Sequence, residues 1–118
     1  MREILFRGKR ITDGKWITDR PTYIKRDDDT WLADDCVIVR VIPESVGQYT
    51  GLTDKNGTKI FEGDIVRWTD SAGTTNNFIV TWDNHKAMFY WHSPKYKVDF
   101  YYCFAKEAAV IGNIYDDI

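Results

Sequence analysis

Cysteine, histidine and proline are all scarce in this chain of 118 residues, which holds two, two and three of them respectively. Cys36 and Cys103 stand far apart, neither belongs to a Cys-x-x-Cys pair, and His85 and His92 are too widely spaced to complete a structural zinc site. The two cysteines therefore read as buried thiols in a reducing compartment, not as a disulfide. No apolar run approaches the roughly 18 residues of a membrane span. Met1-Arg2-Glu3 leads into an alternating segment instead of the apolar stretch of a secretory signal, so a cytoplasmic location is expected. An excess of one charge is also missing: 16 Lys and Arg against 18 Asp and Glu leave a formal net charge of −2, which argues against strong nonspecific attraction to a polyphosphate. Gly47, Gly51, Gly57 and Gly63 have neither the spacing nor the following helix of a phosphate-cradling loop, and no cofactor is expected.

What the chain does have is rings. Five Trp, seven Tyr and six Phe make 15% of it aromatic, which suits a small β-protein that must fill its core with few residues. Its length fits one domain. Charge is unevenly spread, since residues 1–26 carry eight Lys or Arg against Glu3, Asp13 and Asp19. The remainder is correspondingly acidic, so a basic arm on an acidic body could meet a nucleic acid or a neighbouring subunit.

Periodicity points to strands nearly throughout. Arg2 to Phe6 alternates, and the segments Arg7-Gly8-Lys9-Arg10 and Asp13-Gly14-Lys15 read as turns framing a second element around Trp16 and Ile17. Pro21 opens a segment with Tyr23 and Ile24, and Asp27-Asp28-Asp29 reads as an exposed loop because three carboxylates cannot be buried cheaply. Cys36 to Val41 is a β-branched strand closed by Pro43. Beyond Val46, turn signals recur every eight to twelve residues, the mark of a small barrel or sandwich. Asn56-Gly57 signals a hairpin, and period two places Val66 and Trp68, then Phe78, Val80 and Trp82, on a core face. The strand around Ala87 to Trp91 should pair antiparallel with 78–82, and Phe100, Tyr102 and Phe104 share one face of the next segment. Ala105 to Ala109 is worth one helical turn, and Val110 to Tyr115 closes the sheet.

Two constellations carry candidate chemistry. Glu62 and Asp64 flank Gly63 at a same-face spacing compatible with paired carboxylates, although Asp64 can equally accept backbone N–H groups from the turn before it. The stretch from Phe89 to Lys97 mixes rings and lysines as single-strand binding surfaces do, although half its rings must face inward.

Three blocks stand out: Met1-Arg2-Glu3-Ile4-Leu5-Phe6-Arg7, the central Gln48-Tyr49-Thr50-Gly51-Leu52-Thr53-Asp54-Lys55-Asn56-Gly57 with Ile60-Phe61-Glu62-Gly63-Asp64-Ile65-Val66, and Val110-Ile111-Gly112-Asn113-Ile114-Tyr115. Together, in that order, they resemble the YopX family of phage and prophage proteins. The segment from Gly8 to Ile42 shows no pattern that aligns. The resemblance implies a mostly β fold with an SH3-like C-terminal part and a phage or prophage origin, and it brings no catalytic residue with it. The expected architecture is one domain over 1–118, with an N-terminal β-meander at 1–45 packed on a small SH3-like barrel at 46–118. The expected function is a nonenzymatic protein-binding or assembly module that contacts a protein partner or itself. Single-stranded nucleic-acid binding is the alternative, and a hydrolase or metal enzyme at Glu62 and Asp64 the remote one. Candidate binding residues are Trp91, Lys95, Tyr96, Lys97, Arg7, Lys9 and Arg10; no catalytic or metal-ligating residue is expected.

Overall fold

Among the described residues, alternating apolar and polar residues fold into twelve short strands, and the only helical geometry is two isolated 3-10 turns. The computed structural model describes residues 3–96, 98–100 and 104–116. Two units divide the chain, Met1–Tyr49 and Thr50–Asp117.

The first unit holds β1 (Phe6–Lys9), β2 (Trp16–Arg20), β3 (Thr22–Arg26), β4 (Asp29–Ala33), β5 (Ile38–Arg40), a 3-10 turn at Pro43–Ser45 and the start of β6 (Gly47–Thr53). Strand β1 pairs antiparallel with β2 on one side and with β6 on the other, where Phe6 faces Gln48. Strands β3, β4 and β5 form a separate antiparallel meander. Leu32 of β4 and Val41, just past β5, are the most deeply buried aliphatics of this unit, at 0% and 1% exposure.

Two expectations are corrected here. Arg7-Gly8-Lys9 is strand, not turn. A β-carbon at Gly8 would lie 3.3 Å from Leu32 Cδ1 and 3.3 Å from Val41 Cβ, so this glycine serves close packing inside a strand. Likewise the exposed loop expected at Asp27-Asp28-Asp29 is shorter: Arg26 pairs with Asp29, leaving Asp27 and Asp28 as an exposed two-residue hairpin turn in which Asp27 takes φ 54°, and Asp29 begins β4. Asp29 is then anchored by an ion pair to Arg40.

The second unit contains the rest of β6, then β7 (Lys59–Phe61), β8 (Asp64–Thr69), β9 (Thr75–Asp83), β10 (Met88–Ser93), β11 (Val98–Phe100), a 3-10 turn at Ala105–Glu107 and β12 (Ala109–Asn113). Five strands make one curled antiparallel sheet in the order β11-β10-β9-β8-β12. Register follows the predicted phasing: Val66 faces Phe78 and Val80 faces Trp91 across the ladders. These four side chains form the core with Ile60, Ala105 and Ala108, and Trp68, Phe89 and Val110 pack against it. The single turn predicted near Ala105 is present and delivers two small residues to that core. Tyr102 and Cys103 lie outside the described residues.

Candidate functional site

The second strand of the β8–β9 hairpin outruns its other neighbour. Asn77, Asn76 and Thr75 of β9 pair with Arg67, Trp68 and Thr69 of β8. Among the described residues, the ladder from β9 to β10 ends at the Ile79–His92 pair. Beyond that pair the chain turns away through Pro94 and Lys95, and an open depression of about 490 Å³ is left, lined by Arg67, Thr75, Asn76, Asn77, Pro94 and Lys95. Among the described residues, two of its lining side chains are cationic and none is acidic. Arg67 Nε donates to Asn77 Oδ1 at 3.2 Å, so the guanidinium leans from β8 over β9. Lys95 Nζ lies 5.2 Å from the centroid of the Tyr96 ring, which is 56% exposed.

Other predicted binding residues are placed differently. Trp91 is 3% exposed and belongs to the core, where it packs against Phe78 at a centroid distance of 5.7 Å; it is a core residue, not a surface one. Period two explains this, since Phe89 and Trp91 share the inward face while Tyr90 and His92 alternate with them. His92 Nδ1 lies 2.6 Å from Asp99 Oδ1 across the β10–β11 ladder. Lys97 lies outside the described residues.

In the first unit the basic residues gather around one ring. The Arg7 guanidinium carbon lies 4.7 Å and Lys9 Nζ 5.5 Å from the Trp16 ring centroid. Lys9 is only 5% exposed, and its backbone N–H donates to Ser45 Oγ at 2.8 Å, so it serves structure more than a surface. Arg10 is tied to Asp13, whose carboxyl is held below the usual carboxylate range by that guanidinium and by the Lys15 N–H.

Glu62 and Asp64 do not share one environment. Asp64 is 1% exposed and its Oδ2 accepts the Phe61 N–H at 2.8 Å, the strand-start role open to it from the sequence. Sequence reasoning missed Asp54, 2% exposed, whose Oδ1 accepts the N–H groups of Asn56 and Thr58 and whose Oδ2 accepts that of Val110. Burial pushes its carboxyl up, but the Val110, Thr58 and Asn56 donors, with Lys55 beside it, outweigh this and hold it below the usual range. Cys36, expected to be buried, is exposed, and its N–H donates to Asp34 Oδ1 at 2.9 Å. A second depression, about 460 Å³, runs along the stacked rings of Trp68 and Phe104, where Glu107 accepts the indole N–H at 3.1 Å.

Fold and site together define an all-β protein whose buried carboxylates, Asp54 and Asp64, hold backbone donors. Residues 5–117 match the model of the YopX protein family, and the chain belongs to that family. No curated protein matches it. Among solved structures it is similar to the crystal structure of protein EF1440 from Enterococcus faecalis, with a TM-score of 0.62 and 20% identity over 99% of this chain and 96% of that one. At that identity the likeness concerns the fold. Among the described residues, no helix is long and apolar enough to cross a membrane.

Proposed function

We propose that this chain is a nonenzymatic protein-binding or assembly module, encoded by a phage or prophage and acting in the cytoplasm of a bacterial host, with an SH3-like C-terminal part. One observation carries the reading. Strand β12 lies at the edge of the five-stranded sheet, and its five residues, Ala-Val-Ile-Gly-Asn, include no charge. Edge strands are ordinarily guarded by lysine, proline, inward-pointing charge or a bulge. Here the register shift between Val110 and Gly112 is a guard of that last kind, yet Ile111 and Ile114 stand 44% and 45% exposed. Ile111 on β12 and Ile114 just past it are exposed apolar side chains that a second copy or another protein would cover.

Light scattering over a range of concentrations, together with capture from host lysate, tests the proposal. Self-association or a recovered partner is expected, and Ile111→Lys or Ile114→Lys should weaken either. A monomer at high concentration that retains no partner would sink it.

A further inference from the structure

The depression beside Thr75–Asn77 sets two cationic side chains next to a strand segment paired, among the described residues, on one side. We infer that it docks an acidic peptide segment of a partner protein, added as a short strand along β9. This rests on the reading of the chain as a protein-binding module but uses a surface other than β12.

Backbone comes first. A strand paired on one side only presents N–H and C=O groups on the other, and peptide main chain is the ligand that matches them. Among the described residues, Thr75–Asn77 have their ladder partner on the β8 side alone. Three residues offer roughly 10 Å of edge, at about 3.3 Å per residue. Pro94 contributes no N–H to the opposite wall.

Charge then selects the side chains. A strand added beside β9 would lie two strand spacings, about 10 Å, from β8. That is within the joint reach of an arginine and a glutamate, provided that the arginine leans across β9. The Arg67–Asn77 hydrogen bond supplies that lean, and it occupies Nε while the terminal amino groups remain for a carboxylate. Lys95 supplies a second cation from the opposite wall. With no acid among the described residues that line the depression, a carboxylate there meets attraction from both sides, although the whole chain is slightly acidic. A phosphodiester strand would satisfy the two cations but would leave the β9 main-chain edge without a partner, which is why peptide is favoured.

The test is a fluorescence anisotropy titration of the intact chain with a labelled hexapeptide of alternating Glu and Val. Parallel titrations use the same peptide N-methylated at alternate amides, its Lys-for-Glu counterpart, and a 15-nucleotide oligothymidylate. Binding of the Glu peptide is expected, with a tenfold or greater loss on N-methylation, on Lys substitution and in Arg67→Glu/Lys95→Glu. Asn77→Ala should weaken it several-fold while leaving net charge unchanged. Since Arg67 and Lys95 are exposed, unchanged Trp emission will confirm that the variants are folded. Failure to bind, equal binding of the N-methylated peptide, or tighter binding of oligothymidylate through the same cations would each overturn the inference. A variant at Ile111 that loses assembly but keeps the peptide separates this surface from β12.

Discussion

The Asp54 carboxylate accepts the backbone N–H of Val110 at 2.9 Å, joining the turn between β6 and β7 to the edge strand β12 across 56 residues of sequence. The Lys55 N–H completes the clamp by donating to the Ala108 carbonyl, also at 2.9 Å. The turn thus covers the outer side of β12 at its start and leaves Ile111 onward to the surface.

Replacing Asp54 by Asn should cost about 1–3 kcal/mol, because an amide has one acceptor oxygen and turns its NH2 against the remaining N–H donors. Urea denaturation at neutral pH measures this. The pH dependence has a definite sign. The Asp54 carboxyl is held below its ordinary value when folded, so on acidification the unfolded chain takes up the proton first. Its contribution is complete above the ordinary carboxylate value, about 4, and is lost as pH falls through the folded one. Asp54→Asn should therefore flatten the acid limb of the stability curve. Part of the limb should persist, since Asp13 and Asp34 are lowered as well.

Most of the second unit's core was legible because strands obey period two, and Val66, Phe78 and Val80 needed no tertiary information. Gly8 was not legible. Between basic residues it looks like a turn, and only Leu32 and Val41, contributed from β4 and from beyond β5, explain it. The Arg67, Asn77 and Lys95 grouping was hidden for a similar reason, since ladder register brings three separated segments together. A repeated local signal was available but went unread. Asp54-Lys55-Asn56-Gly57-Thr58 and Asp70-Ser71-Ala72-Gly73-Thr74 share Asp-x-x-Gly-Thr, and in both the Asp Oδ1 accepts the N–H groups two and four residues on. In this chain the central block thereby acquires a physical meaning, as a turn whose carboxylate braces a distant edge.

Gly63 should be far less replaceable than Gly57 of the same block. It takes φ +90°, and an added β-carbon would stand 2.3 Å from Tyr115 Cε2, whereas Gly57 at φ +81° has nothing within 4 Å. Gly57→Ala meets backbone strain alone, about 1–2 kcal/mol. Gly63→Ala adds displacement of the Tyr115 ring and should cost about 3 kcal/mol or more. Thermal melts of the two variants side by side check the ordering; equal shifts would contradict the Tyr115 contact.

Cys36 should react with a thiol reagent such as Ellman's while the protein is folded, because its side chain is exposed in the bend capped by Asp34. In a Cys103→Ser background a fast phase is expected without denaturant and should vanish when Cys36→Ser is added. Labelling that waits for unfolding would restore the buried reading.

Trp91 and Tyr96 are separated by five positions in one aromatic stretch but do opposite work. Trp91, at 3% exposure, packs in the core against Phe78, whereas Tyr96, at 56%, stands beside Lys95 at the surface. Trp91→Ala empties a core site and should cost about 3–5 kcal/mol. Tyr96→Ala removes an exposed ring and should change stability by no more than about 0.5 kcal/mol. Equilibrium unfolding by circular dichroism distinguishes them without relying on Trp emission, which the first substitution itself alters. Should Tyr96→Ala destabilise as severely as Trp91→Ala, the β10–β11 turn would be a structural element, and the depression beside β9 would lose its claim to be a free surface.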